Sequence, residues 1–151
     1  MVVYFGADHR GFELKGRLVG FVKNLGYEIF DCGSATLDPN DDYPDVAAAV
    51  AEKIVADQEN ARGILICGSG AGVNIAANKF RGVRATIGFL PDQVYANRHD
   101  DDVNILALAS DFTNPEDAEN LVKIFLLTPF GGDERYRRRI GKINLLGDSL
   151  K

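Results

Sequence analysis

The chain has 151 residues, of which 46% are hydrophobic and 26% are charged, and this composition predicts a single globular domain over residues 1–151. Its net charge of −5 disfavours a nucleic acid as partner, and no apolar run approaches the roughly 18 residues of a membrane span, so we expect neither nucleic-acid nor membrane contact. The two cysteines, Cys32 and Cys67, lack disulfide or zinc spacing and favour a reducing, cytoplasmic location.

The first half of the chain alternates strand and helix patterns. An apolar strand is predicted at residues 2–6. Apolar residues then recur every three or four positions and predict a helix over residues 12–25, which Gly26 is suited to end. A second strand is predicted over residues 27–31, and after a polar loop Pro44 is suited to open the next helix.

The same alternation continues through the second half. In chain order we predict a strand at 63–67, a glycine-rich turn and a helix to about residue 79, a strand at 83–89, a helix from 91, a strand at 104–109, and helices over 115–127 and 134–146. Strands that alternate with helices form right-handed βαβ units, and these build a mostly parallel sheet with helices on both faces.

Ligands of such sheets bind beyond the carboxyl ends of the strands. Three segments are expected there: residues 8–11 after the first strand, residues 67–72 after the third, and residues 100–102 before the fifth. These segments carry the polar and glycine residues from which we expect the functional site to be built.

The glycine-rich turn, residues 68–72, has the sequence Gly-Ser-Gly-Ala-Gly. Glycines after a strand allow backbone N–H groups to face an anion, and the following helix N-terminus adds its dipole. The turn lacks a complete dinucleotide fingerprint, because Val73 occupies the last position, and it lacks the lysine of a P-loop. A tight strand-to-helix connection explains the same spacing, so both interpretations stay open.

Cys67 ends the third predicted strand, directly before this turn. A lone cysteine is commonly a small buried hydrophobic residue. Beside a helix N-terminus, however, the pKa of a thiol falls toward neutrality, and a thiolate there can remove a carbon-bound proton while neighbouring amides hold the enediolate. The sequence leaves both roles open.

Three further polar groups each have a structural and a functional interpretation. Asp8 and His9 follow the first strand, where packing does not explain them, although Asp8 can cap the next helix. The acidic loop at 41–45 matches no calcium-loop spacing and is predicted to be solvated. The basic cluster at 135–142 is either a solvated helix face or an arginine site for phosphate.

Together, these segments resemble the family of ribose-5-phosphate isomerase B and the galactose-6-phosphate isomerase subunits. The matching segments occur in family order and span nearly the whole chain; they are residues 6–15, 42–45, 63–70, 75–79 and 135–140. The resemblance implies a flavodoxin-like (Rossmann-type) α/β three-layer sandwich with a five-stranded parallel sheet. It also implies an aldose–ketose isomerase of a sugar phosphate, converting ribose 5-phosphate to ribulose 5-phosphate through a cis-enediolate.

The resemblance further implies that no metal or other cofactor is used, and that the protein is a homodimer or a dimer of dimers with active sites at the dimer interface. Cys67 matches the proton-transferring base of the cysteine branch, and Asp8 matches a residue that holds the sugar hydroxyls. Tyr43 lies near the substrate in relatives. The enediolate-stabilising loop matches Ser69 with the amides of Gly68, Gly70, Ala71 and Gly72, and the phosphate site matches His9, Arg135 and Arg139.

The chain departs from the family pattern before the fifth strand. The ring-opening histidine of the family falls at Asp100, and His99 stands one residue earlier. We predict Asp100 as the acid–base group, with its pKa raised by repulsion from Asp101 and Asp102, and His99 as the alternative. Asp101 is also expected to lie near the substrate. A site that accepts only open-chain sugar is the third possibility.

Two phosphate-site positions also differ. A family arginine after the fifth strand falls at Asp111, where a carboxylate is expected to repel an anion, and a histidine of the basic tail falls at Tyr136. These departures leave three alternatives: an isomerase of a hexose 6-phosphate or another non-standard sugar, a non-catalytic metabolite-binding module, and a nucleotide- or flavin-binding domain. Retention of Cys67, Ser69, Asp8 and His9 disfavours the second alternative, and the incomplete glycine fingerprint disfavours the third.

Overall fold

The structure, a computed structural model, describes residues 1–146. Its elements in chain order are β1 (Val2–Ala7), α1 (Phe12–Asn24), β2 (Glu28–Asp31), α2 (Tyr43–Ala56), β3 (Ala61–Cys67), α3 (Ala71–Ala77), β4 (Ala85–Ile87), α4 (Pro91–Asp101), β5 (Ile105–Ala109), α5 (Pro115–Leu127) and α6 (Glu134–Asn144). Each predicted element is present with its predicted type, and the differences lie at element ends. Within the described residues no helix is long and apolar enough to cross a bilayer.

The five strands form one sheet in the order β2-β1-β3-β5-β4, and every strand pair is parallel. The predicted flavodoxin-like α/β sandwich with a five-stranded parallel sheet is therefore confirmed. In flavodoxin itself the strand order is 2-1-3-4-5, with the last strand at the edge of the sheet. Here β5 lies between β3 and β4, so the strand after α4 returns to the centre of the sheet.

Helices cover both faces of this sheet. Alternate side chains of the central strand β3 point in opposite directions, so that Ile64 and Ile66 join the core under α1, α4 and α5. Leu65 and Cys67 join the second core under α2 and α3. Because both faces are buried, β5 and residues 63–67 of β3 are continuously apolar, which is the pattern that made them recognisable in the sequence.

Element ends follow the expected local rules. Gly26, just past the end of α1, has φ 89°, a left-handed conformation that glycine adopts without strain. The helices α2, α4 and α5 each carry proline in their first two positions. Asn114 caps α5, because its side chain accepts a hydrogen bond from the Asp117 backbone N–H at 2.8 Å.

Candidate active site

Two neighbouring strands, β1 and β3, end side by side at the carboxyl edge of the sheet and place Asp8 beside the glycine-rich turn. Asp8 is 5% exposed, and its Oδ1 accepts hydrogen bonds from the backbone N–H groups of Arg10 and Gly11 at 3.0 and 3.1 Å. A Cβ on Gly11 would fall 2.7 Å from the Ile66 carbonyl oxygen, so the turn after β1 packs directly on β3. Asp8 therefore holds the β1–α1 turn at the predicted edge, whereas α1 itself begins after Gly11 without a side-chain cap.

Cys67 is 4% exposed and lies in the core under α2 and α3. Its carbonyl accepts hydrogen bonds from the backbone N–H and the hydroxyl of Ser110, at 2.9 and 3.1 Å. Gly70 has φ 74°, and a Cβ there would lie 3.2 Å from the Leu108 carbonyl carbon. The turn is thus fixed against β5, with the thiol at its base.

The polar loop before α2 folds onto this edge. His9 Nδ1 lies 2.7 Å from Asp41 Oδ1, and the His9 backbone N–H donates to the same oxygen at 3.0 Å. Asp41 was predicted to be a solvated loop residue, but its side chain is only 19% exposed and it anchors His9. Tyr43 approaches as well, since a Cβ on Gly72 would fall 2.7 Å from the Tyr43 ring.

Arg10 also reaches the glycine-rich turn, although it was not among the predicted site residues. Its guanidinium forms an ion pair with Asp111, and a Cβ on Gly68 would fall 2.6 Å from Arg10 Cζ. Ser110 Oγ donates to the Arg10 carbonyl at 3.0 Å. Asp111, which we expected to repel an anion, is therefore neutralised by a cation that stands over the turn.

The segment at residues 100–102 does not lie at this edge, which corrects its predicted placement. The helix α4 starts beyond the carboxyl end of β4 and runs back across the sheet, so its last residues lie at the amino edge of β5. Eleven residues of helix span about 16 Å. Within one chain, His99 and Asp100 are therefore separated from Cys67 by the length of the strands.

His99 and Asp100, predicted as alternatives, form a pair. His99 Nδ1 lies 2.8 Å from Asp100 Oδ1. The imidazole stacks on Tyr95, with ring centroids 5.5 Å apart, and meets the Tyr136 ring edge-on at 5.8 Å. The backbone of Gly131 closes on the imidazole edge, where a Cβ would fall 2.5 Å from His99 Cε1.

The predicted electrostatics of Asp100 are wrong in sign. The hydrogen bond to His99 is the largest influence and, with Tyr136 and the charge of Arg135, holds the pKa of Asp100 below its ordinary value. Repulsion from Asp101 and Asp102 was expected to raise it. Asp101 is instead exposed, with its carbonyl accepting from Arg84 at 3.1 Å.

Asp102 is committed to structure. It ends α4 with φ 48°, and its two carboxylate oxygens accept hydrogen bonds from Arg84 and Arg98, each at 2.8 Å. The Arg98 side chain is 2% exposed, so this carboxylate balances a buried cation. Asp102 thus holds the end of α4, and with it the His99–Asp100 pair, against the sheet.

The predicted phosphate arginines lie on α6, which packs against α4. Arg135 and Arg139 are four residues apart and so share one helix face, and both are exposed. Arg135 Nη2 donates to the Tyr136 hydroxyl at 2.8 Å, and its guanidinium covers the Tyr136 ring at 4.7 Å. This second group of residues, with His99 and Asp100, forms a basic and aromatic surface away from the cysteine.

Cys67 at the end of a central strand, beside Asp8 and a glycine-rich turn, is an arrangement suited to proton transfer on a bound substrate. Comparisons with known proteins show which class of α/β enzyme this is. The sequence model described as Ribose/Galactose Isomerase matches residues 3–143. The chain belongs to this family.

Individual relatives share nearly the whole chain. The probable ribose-5-phosphate isomerase B of Mycoplasma pneumoniae is 40% identical over 93% of this chain and 91% of its own length. The structure of ribose-5-phosphate isomerase B from Mycoplasma genitalium with bound ribulose-5-phosphate matches with TM-score 0.91 and 37% identity, covering 95% of this chain and 93% of that one. Type B ribose 5-phosphate isomerase of Trypanosoma cruzi matches with TM-score 0.93 and 37% identity, covering 99% and 98%.

Proposed function

We propose that this protein interconverts ribose 5-phosphate and ribulose 5-phosphate. The observation that carries the proposal is the position of the Cys67 thiol at the base of the glycine-rich turn, beside Asp8. A relative 37% identical to this chain was solved with ribulose-5-phosphate bound, which supports the same substrate class here.

In the proposed mechanism, the Cys67 thiolate removes the proton from C2 of the open-chain aldose, and the electron pair forms the C1–C2 double bond of the cis-enediolate. The negative charge that develops on the carbonyl oxygen is held by the amides of the turn and by Ser69. Return of the proton to C1, with transfer of the hydroxyl proton from O2 to O1, gives the ketose. Asp8, held rigidly by its turn, accepts hydrogen bonds from the sugar hydroxyls.

We assign ring opening to the His99–Asp100 pair, with the imidazole as the acid–base group and the carboxylate as the group that orients it. The lowered pKa of Asp100 supports this division, because a carboxylate that stays ionised at neutral pH is a poor proton donor. Nε2, the second ring nitrogen, lies beside the Gly131 backbone and is the atom that we assign to the substrate.

The site requires two chains if both groups of residues act on one substrate, because a single chain holds them at opposite edges of its sheet. We therefore propose a homodimer, or a dimer of dimers, in which Cys67 of one protomer meets His99, Arg135 and Arg139 of its partner. Large apolar side chains exposed near the carboxyl edge support such contact; they are Ile75, Phe89, Leu90 and Phe112.

We also propose that residues 1–151 act as one domain in a reducing cytoplasm. Two cores that share one sheet support a single domain. Neither Cys32 nor Cys67 is in a disulfide, which fits a reducing compartment.

The decisive experiment measures solvent-deuterium incorporation into the sugar. Wild type should incorporate deuterium at C1 or C2 of ribose 5-phosphate, and Cys67→Ala should abolish this while leaving the unfolding temperature and the far-ultraviolet circular dichroism unchanged. Cys32→Ala is the matched control, since Cys32 is the other free cysteine of the same core. Incorporation by Cys67→Ala near the wild-type rate would contradict the assignment. A panel containing a hexose 6-phosphate tests the substrate.

The shared site has its own test, in which two inactive variants are mixed. Cys67→Ala should inactivate the group of residues around the glycine-rich turn, and Arg139→Ala should inactivate the group on α4 and α6. After exchange of subunits, mixed dimers contain one site with both defects and one intact site, so about a quarter of wild-type activity should return with random pairing. No recovery, despite mass-spectrometric proof of mixed dimers, would contradict the arrangement.

A further inference from the structure

We propose that Arg10, oriented by Asp111, binds the phosphate group of the substrate. The inference rests on the proposed sugar-phosphate isomerase function and deepens it, because it assigns an anion-binding residue to the protomer that carries Cys67. Arg10 lies two residues after Asp8, on the turn that Asp8 holds through its Oδ1.

Arg10 is held at its side chain and at its backbone. Asp111 pairs with Nη2, and the Asp111 backbone N–H donates to the Gly68 carbonyl at 3.0 Å, so the carboxylate is itself fixed to the glycine-rich turn. The Arg10 carbonyl accepts from Ser110 Oγ at 3.0 Å. Both connections join the β1–α1 turn to the β5–α5 turn at the entrance to the site.

Nε and Nη1 of the guanidinium lie against Gly68, the first residue of the turn that we propose holds the enediolate. A Cβ built on Gly68 would fall 2.6 Å from Nε and 2.9 Å from Nη1 of Arg10. A guanidinium has five N–H donors, and the ion pair with Asp111 uses only Nη2. The N–H donors that remain on Nε and Nη1 are available to oxygens of a phosphate.

Cys67 and Arg10 differ in solvent exposure, and this difference suits the two ends of a sugar phosphate. The Cys67 thiol is 4% exposed, whereas the Arg10 side chain is 57% exposed. A phosphate dianion is costly to bury and needs a cation near water, while the reacting carbons need a site from which water is excluded. A sugar phosphate therefore fits with C1 and C2 at Cys67 and its phosphate at the rim, beside Arg10.

Arg17 provides an internal comparison. It lines the same cleft of about 320 Å³ as Arg10 and Ser110, but Glu116 and Glu119 both bind it, each at 2.8 Å. Two carboxylates more than balance its charge and occupy both sides of its fork. Arg10 has one carboxylate and two nitrogens left, so of these two arginines it is the one suited to an added anion.

The test measures binding of inorganic phosphate by calorimetry and steady-state turnover of ribose 5-phosphate on the same variants. Arg10→Met should raise the Kd of phosphate and the KM of the sugar about tenfold, with kcat reduced less than about threefold. Arg10→Lys should recover part of the loss, because it restores the charge without the fork. Asp111→Asn should change both constants less than Arg10→Met does, since the amide oxygen still accepts from Nη2. Arg17→Met is the matched control and should bind phosphate as wild type does.

Each outcome separates this inference from the proposed function. If wild type isomerises the sugar and a folded Arg10→Met binds phosphate as tightly as wild type, Arg10 is only a tether between turns and the inference is wrong. Equal losses in Arg17→Met and Arg10→Met, or in Asp111→Asn and Arg10→Met, overturn it as well. If wild type binds phosphate through Arg10 but isomerises no sugar phosphate, the proposed function fails and the anion site stands.

Discussion

Asp102 gives the sharpest prediction about stability, because one carboxylate holds two arginines and ends the helix that carries His99 and Asp100. Replacing it by asparagine keeps the size of the side chain and tolerates the left-handed φ of 48°, while removing the charge. The perturbation therefore isolates the ion pairs with Arg84 and Arg98.

The magnitude follows from burial on each side of the pairs. Breaking a fully buried ion pair costs about 3–5 kcal/mol, because the remaining charge is left without a partner. The Arg98 side chain is 2% exposed but that of Asp102 is 30% exposed, and Arg98 keeps the carbonyl oxygens of Val103 and Thr128, at 2.5 and 3.3 Å. We therefore expect Asp102→Asn to lose about 2 kcal/mol of unfolding free energy, discounted for solvent screening. Asp102→Ala should lose about 1 kcal/mol more from left-handed strain.

The assay is thermal and urea unfolding at one fixed protein concentration, since subunit association contributes to the apparent stability of an oligomer. A loss of about 2 kcal/mol corresponds to a Tm lowered by about 4–8 °C for a chain of this size. Asp101→Asn is the matched control and should stay within about 0.5 kcal/mol of wild type, because the Asp101 side chain is exposed. Equal stability of Asp102→Asn and wild type, or equal losses in the two variants, would refute the reasoning.

Three further predictions concern activity. His99→Ala should slow turnover of the cyclic sugar about 100-fold, and Asp100→Asn should slow it about 10-fold. Both variants should turn over a four-carbon sugar phosphate, which cannot form the ring, at the wild-type rate. Equal losses on both substrates in rapid kinetics would exclude a role in ring opening. Asp41→Asn should raise KM about fivefold, because the 2.7 Å contact that orients His9 loses its charge at a partly exposed position, and an unchanged KM would show that His9 needs no such support. Exhaustive chelation should leave turnover unchanged, and a loss restored by an added divalent cation would contradict a mechanism carried by backbone amides.

The fold could be predicted because its signals are local or periodic. The apolar runs of β3 and β5, the stripe of α1 and the glycine and proline at helix ends each reflect packing or backbone geometry within one element. The order of β4 and β5 could not be predicted in this way. Alternation of strands and helices requires parallel pairing but leaves open which strand lies next to β3.

Pairings between distant loops are what sequence reasoning missed. Arg10 and Asp111 are 101 positions apart, and His9 and Asp41 are 32 apart, so no spacing rule connects them. Asp111 departs from the family pattern, and only the adjacent turns after β1 and β5 show that Arg10 compensates its charge. The placement of residues 100–102 was wrong for a different reason. Residues just before a strand lie at its amino end, whereas we had expected these residues at the carboxyl edge of the sheet.

The glycines near the active site and those on α6 differ in the space that they leave for a side chain. A single methyl group at Gly11 would meet a carbonyl oxygen at 2.7 Å, and one at Gly72 would meet the Tyr43 ring at the same distance. On α6, in contrast, Gly141 has open space around it. In a library of random variants, Gly11 and Gly72 should accept almost no substitutions, whereas Gly141 on α6 should accept many. New substrate preferences in this chain would then arise through substitutions on α6, while the residues that transfer the proton stay the same.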